Sequence, residues 1–259
     1  MVKLLLFLLL QSPLSQMDDL LGRYFSALLF ESDSAKCAEV DWIIESCKDS
    51  TLRSDVAAKI FRHYRESPLM GEEAVALHVW DRWYADATIV FEDEAESYEA
   101  ALFATFNRQS MIGLPAPVLE LRRPDGSPCR LPDEGRFSVV FFYETGCPKC
   151  KAMGILLPYV MEDYPGSTIY AVYTGSSEEQ WAEFREGFKV MNPEVKVEHL
   201  WDPEVESGYQ MAYGVTTTPR LYAISPAGSI VGRRLEIDNL KELLRISQPS
   251  PQRCSSGWS

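Results

Sequence analysis

The chain has 259 residues, 46% of them hydrophobic, enough to bury a substantial core in one large or two modest domains. Its formal net charge of −13 excludes the basic footprint that a nucleic-acid partner requires. The acidity is lopsided: residues 17–110 carry 19 acidic against 9 basic side chains, a balance of −10 that leaves −3 for the rest, which points to two modules with different surfaces.

The first residues, "MVKLLLFLLLQSPLSQ", combine a lysine, a short leucine-rich run and a polar end containing Pro13. This is the layout of a secretory signal peptide over residues 1–16, although its end lacks an A-x-A cleavage pattern; the alternative is the start of an amphipathic or buried helix. The apolar run is too short to span a bilayer, and no later stretch reads as membrane-spanning. The expected location is therefore periplasmic or otherwise extracytoplasmic, where disulfides form and persist.

Residues 17–110 read as an all-helical module. "DDLLGRYFSALLF", "CAEVDWIIESC", "RSDVAAKIFRHYRES" and "EEAVALHVWDRWYAD" each place apolar residues three and four apart, separated by "SDS", "KDS" and "SPLMG". "EDEAESYEAALFATFNR" is a last helix whose acidic first turn suits the positive end of the helix dipole. Trp42, Trp80, Trp83 and Tyr84 are expected to fill the module's core rather than to form a ligand cage. Cys37 and Cys47, ten residues apart, fall on different faces of a helix and read as ordinary buried thiols.

At "IGLPAPVLEL" the periodicity changes. "PVLELRRPDGSPCRL" is strand, turn, strand, with Cys129 a structural thiol in the hairpin. "FSVVFFYE" is a continuous apolar run, as in a strand covered on both faces. A helix "PKCKAMGILLPYVMEDY", a strand "STIYAVYTG", a helix "SSEEQWAEFREGFKVM" and a strand "VKVEHLWD" follow, then a short helix in "PEVESGYQMAYGV", a hairpin around "PAG" and a closing helix "IDNLKELLRIS". Residues 111–247 thus form an α/β sandwich around a mixed sheet. The Ser- and Pro-rich tail 248–259, which contains Cys254, is expected to be disordered.

The chemistry centres on "ETGCPKCKAM". Cys147 falls near the N-cap of a helix that directly follows a buried strand, and Pro148 near its first position, where its missing N–H costs nothing. Unpaired N–H groups and the dipole stabilise a thiolate there; Lys149 adds positive charge and Glu144 opposes it. Cys150, one turn on, is placed to attack a mixed disulfide formed by Cys147. A structural zinc site wants four ligands, and neither a second CxxC nor a histidine pair accompanies this one: His63, His78 and His199 stand apart. A copper site of Cys147, Cys150 and His199 remains the open metal alternative.

"GLPAPVLELRRPDG", "VVFFYETGCPKC" and "YGVTTTPRLYAISPAGSIVGRRL", in that order, resemble the thioredoxin-fold proteins of the TlpA/ResA-like group over about residues 112–246. The resemblance implies a thioredoxin-like fold, a mixed central sheet flanked by helices, here preceded by the all-α module. It implies thiol:disulfide exchange with protein substrates, most commonly as a reductase served by an envelope redox donor or acceptor, with no cofactor. It also implies that Pro219 is cis and faces the cysteines, shielding them from metal, and that Thr218 offers its backbone to a bound substrate chain. The helical module resembles the region that precedes thioredoxin-like domains in secreted Bacteroidetes proteins, which brings no chemistry with it.

Three departures stand out. Gly146 replaces the tryptophan that usually precedes the first cysteine, and Phe141 and Met153 occupy the positions of the group's two proton-handling carboxylates. Proton transfer at Cys150 must then use Glu144, water or the substrate. The peroxidase pattern is absent, with Glu144 and Val140 at its key positions. The loss of both carboxylates motivates a second expectation, a non-catalytic binding module with a static disulfide.

Overall fold

The structure is a computed structural model that describes residues 17–133 and 135–247. The signal peptide expected at residues 1–16 and the tail with Cys254 lie outside the described residues. The chain divides into two compact units between Met111 and Ile112. No described helix is long and apolar enough to cross a membrane.

The first unit consists of α1 (Met17–Leu28), α2 (Asp33–Ser46), α3 (Ser50–Glu66), α4 (Glu73–Val79), a π-helical turn (Trp80–Tyr84) and α5 (Glu94–Asn107). Three helix starts are fixed by side-chain caps: Ser32 accepts from the Ala35 N–H, Asp49 from Leu52 and Asp93 from Ala95. Their apolar faces meet in one core around Tyr24, Ile44, Ile60, Phe61, Val75 and Ala76. That core also holds an ion pair, Lys36 Nζ to Glu72 Oε1 at 2.6 Å, whose side chains are 5% and 8% exposed. The Ser67 hydroxyl donates to the second oxygen of Glu72.

Three sequence expectations need correction here. "EEAVALHVWDRWYAD" is not one α-helix: the ladder widens at Trp80, whose carbonyl accepts from the Ala85 N–H. The extra residue in the turn places both Trp83 and Tyr84 inward. Trp83 Nε1 donates to Asp41, but Trp42 is 41% exposed and Trp80 only partly buried, so the four aromatics do not all fill the core. Nor are Cys37 and Cys47 both buried: Cys37 is only partly so. The helix ends at Ser46, so Cys47 is its C-cap and turns onto the same core that Cys37 packs against.

The second unit is a seven-stranded mixed sheet in the order β2-β1-β5-β4-β3-β6-β7. Its strands are β1 (Leu119–Arg122), β2 (Pro128–Leu131), β3 (Ser138–Tyr143), β4 (Thr168–Tyr173), β5 (Lys196–Trp201), β6 (Arg220–Ile224) and β7 (Ile230–Gly232). β3, β4 and β5 are parallel; β1, β6 and β7 pair antiparallel with their neighbours. The helices are α6 (Pro148–Met161), α7 (Glu178–Gly187), α8 (Tyr209–Tyr213) and α9 (Ile237–Ser247).

Every residue of β3 and β4 is buried, as their continuous apolar runs require. Val139, Phe141 and Tyr143 face the core shared with α6, α7 and α9, whereas Val140 and Phe142 face the opposite core with Tyr209, Tyr213 and Tyr222. The short helix expected in "PEVESGYQMAYGV" covers only Tyr209–Tyr213. The Asp202 carboxylate accepts from the N–H groups of Glu206 and Ser207, holding the preceding segment as a loop, and Gly208 enters α8 with a left-handed φ of 66°.

Candidate active site

β3 ends at Tyr143, and the chain turns through Glu144, Thr145 and Gly146 into α6. Cys147 is the N-cap, with extended backbone, and Pro148 occupies the first turn. The Cys150 N–H donates to Cys147 Sγ at 3.2 Å, so the sulfur itself caps the helix. Both cysteines are free thiols; Cys147 is partly exposed and Cys150 fully buried. Across from them lies the loop before β6, where the Thr218–Pro219 peptide bond is cis. The Cys147 thiol donates to the Thr218 carbonyl oxygen at 3.8 Å, a contact between residues 71 apart in the chain.

The chain matches no protein-family model and no curated protein sequence. Among solved structures it is similar to a thioredoxin-like protein from Bacteroides caccae, with a TM-score of 0.69 at 15% identity over 90% of this chain and 84% of that one. The fold is thioredoxin-like. Coverage of 90% exceeds what the second unit alone could supply, so the likeness extends into the helical unit. The thioredoxin domain of a thiol-disulfide oxidoreductase from Bacteroides vulgatus is also similar, at 24% identity over 52% of this chain and 96% of its own, with a TM-score of 0.46. A thiol:disulfide interchange protein from Bacteroides sp. gives 25% identity over 54% and 91%, with a TM-score of 0.44.

Within the thioredoxin-like unit the two thiols are made unequal by their surroundings. Burial pushes the Cys147 thiol up, but hydrogen bonds from the Cys150 thiol and from the N–H groups of Cys150 and Lys149 outweigh it and hold Cys147 below an ordinary cysteine. The Glu144 charge opposes this, as expected from its position. Cys150 is pushed up to about 11, first by burial and then by the hydrogen bond to Cys147. The Thr218 side chain also reaches Cys150 and pulls the other way.

Lys149 contributes differently from the sequence expectation. Its ammonium pairs with Glu236 Oε1 at 2.6 Å, so the charge is spent on a residue 87 positions away, while its backbone N–H is what supports the Cys147 sulfur. Sequence reasoning missed Glu236 because nothing local marks it. Phe141 and Met153, at the carboxylate positions of the group, are buried in the same core as Cys150. That apolar lining is why burial dominates the Cys150 thiol.

Iodoacetamide at increasing pH tests this asymmetry. Modification of Cys147, followed by peptide mass, rises through a midpoint below that of an ordinary thiol and then levels off, while Cys150 stays unmodified until the pH approaches 11. Parallel curves for the two residues contradict the reading.

The remaining candidates are not assembled here. No group of three or more His, Cys, Asp and Glu side chains able to hold a metal ion exists among the described residues, so Cys147, Cys150 and His199 do not form one. His199 lies on β5 against the Phe188 ring, with Nδ1 unpartnered. Burial pushes its imidazole down to about 4, and Arg185 adds to the effect. Because the unfolded chain binds this proton more readily than the folded one, stability is complete above about pH 6.5 and declines as the pH falls toward 4. The thermal midpoint therefore drops over that window, and His199→Phe flattens the drop; an unchanged slope excludes His199 as its source.

Proposed function

We propose that the protein is a thiol:disulfide oxidoreductase that acts on protein substrates through Cys147 and Cys150, in the reducing direction and in the cell envelope. The observation that carries this is the N-cap position of Cys147, where backbone N–H groups favour its thiolate while it faces the Thr218 carbonyl.

In the reducing direction, the Cys147 thiolate attacks one sulfur of a substrate disulfide. A bond forms between Cys147 and that sulfur, the substrate S–S bond breaks, and the second substrate sulfur leaves as a thiolate that takes a proton. Cys150, deprotonated as it attacks, then displaces the first substrate sulfur from Cys147. The pair ends as a disulfide, the substrate as two thiols, and an external dithiol donor resets the cycle. Thr218 offers a backbone edge, and Pro219 flanks the sulfurs, for an extended substrate segment. Glu144 lies on the solvent side of the turn and modulates Cys147. The envelope location draws on the leader-like start of the sequence and on the need for disulfide-bearing substrates.

A second reading, a binding module with a static disulfide, is favoured by one feature: Phe141 and Met153 leave the buried Cys150 with apolar neighbours where the group has acids. Equilibrating the chain in a dithiothreitol or glutathione series and trapping thiols for mass measurement separates the two. A reversible Cys147–Cys150 couple between about −270 and −120 mV supports exchange. A pair that stays oxidised below roughly −300 mV supports the static disulfide.

A further inference from the structure

A groove of about 620 Å³ lies between α6 and α7, and its lining includes Thr145 and Gly146, the two residues that lead directly into Cys147. The lining also holds Ile155 of α6 and Phe184 and Phe188 of the α7 segment. We propose that this groove is a specificity subsite that takes a bulky apolar side chain, aromatic or branched aliphatic, next to the substrate's reacting cysteine. The assignment rests on the redox reading above and narrows its substrate class.

Glycine stands at three places in the lining of the groove. A Cβ on Gly154 would lie 2.7 Å from the Phe184 ring, so only glycine lets that ring rest against α6, where it also stacks on Tyr143 at 3.9 Å. A Cβ on Gly187 would meet nothing within 4 Å, and one on Gly146 only the Glu144 carboxylate at 4.0 Å. The space beside the nucleophile is therefore open where a larger residue at position 146 would stand.

The lining selects for apolar matter. Lys151 and Glu183 contribute one charge of each sign, one from each helix, and so impose no net demand on a ligand. The Thr145 hydroxyl donates to Gln180 Oε1 at 2.6 Å, which ties the turn to α7. The lining leaves apolar surface open: Ile155 is 74% exposed and Phe184 is only partly buried. Burying a side chain against these surfaces recovers the free energy that their exposure forgoes. Since Gly146 lines the groove and directly precedes Cys147, an occupant sits within a few residues of the attacked sulfur, at about 3.5 Å per residue of extended chain.

The test uses the reduced full-length chain and symmetric disulfide dimers of short X-Cys-X peptides with X as Ala, Leu or Phe, with bis(2-hydroxyethyl) disulfide as a small reference. Released peptide thiol is followed by mass, with the Cys147→Ser background subtracted and every rate taken relative to the reference. Leu and Phe peptides react about tenfold or more faster than Ala peptides, and Gly187→Leu, which adds bulk to the lining, collapses that ratio. Equal peptide rates alongside a reactive reference overturn the subsite and leave the redox reading standing. A ratio that survives Gly187→Leu also overturns it, because the selection then arises elsewhere. If neither peptides nor reference react through Cys147, the redox reading fails and the subsite falls with it.

Discussion

Cys147→Ser lowers disulfide reduction to the level of the reductant alone, whereas Cys150→Ser retains the first step and accumulates a mixed disulfide. The difference follows from the two environments. Cys147 is partly exposed, caps α6 and keeps its thiol below the ordinary range; Cys150 is fully buried with its thiol pushed up to about 11. Only the first can meet an external disulfide as a thiolate near neutral pH, because the thiolate is the nucleophile. Once a substrate is attached to Cys147, the sulfur of Cys150 one helical turn along is the internal group in position to release it. Turbidity of insulin in the presence of dithiothreitol reads the first variant, and intact mass after quenching reads the second. Equal residual activity of the two single variants would sink the assignment of roles. Because Phe141 and Met153 supply no buried acid, the resolving step must lose its proton through water, Glu144 or substrate, and it is the step that slows first as the pH is lowered.

The second large effect is on stability and lies in the helical unit. Lys36→Ala leaves the Glu72 carboxylate, 8% exposed, without its ionic partner, retaining only the Ser67 hydroxyl on its other oxygen. Uncovering one member of such a pair costs about 3–5 kcal/mol, on the order of 10 °C in the unfolding midpoint of a chain this size. Removing both charges together, as Lys36→Met with Glu72→Leu, recovers most of that loss, because two desolvation penalties disappear along with the attraction. Differential scanning calorimetry of the three chains decides it. A single variant within about 1 kcal/mol of the parent, or a double variant as damaged as the single, contradicts the account.

Much of the architecture is carried by signals that act within a turn or two of chain. The apolar run 139–143 announces a strand buried on both faces, and β3 is buried along its whole length. The Cys-Pro step at the start of "CPKCKAMGILL" marks a helix start, because a cysteine at the N-cap accepts from an unpaired N–H and a proline in the first turn has none to leave unpaired. "PDG" and "PAG" are turn chemistry, and both link antiparallel strand pairs. Local pattern failed where two local preferences compete. At "HVWDRWY" the α-helical ladder gave way to a π turn that buries Trp83 and Tyr84 together, and in "PEVES" the Asp202 carboxylate captured N–H groups that a helix would have used.

What only the tertiary structure decided concerns residues far apart in sequence. The sequence by itself determined that two cysteines one turn apart sit at the mouth of a helix, since backbone sterics and N–H satisfaction are local. It did not determine what faces them. The Thr218 carbonyl meets Cys147 because β6 pairs with β3, and Glu236 takes the Lys149 charge because the chain returns to that end of the sheet before α9. Phe184 comes to lie over Gly154 only because α7 packs on the same sheet face as α6. Such contacts depend on how elements cross, and a coulombic or van der Waals partner leaves no periodic trace in the chain it approaches.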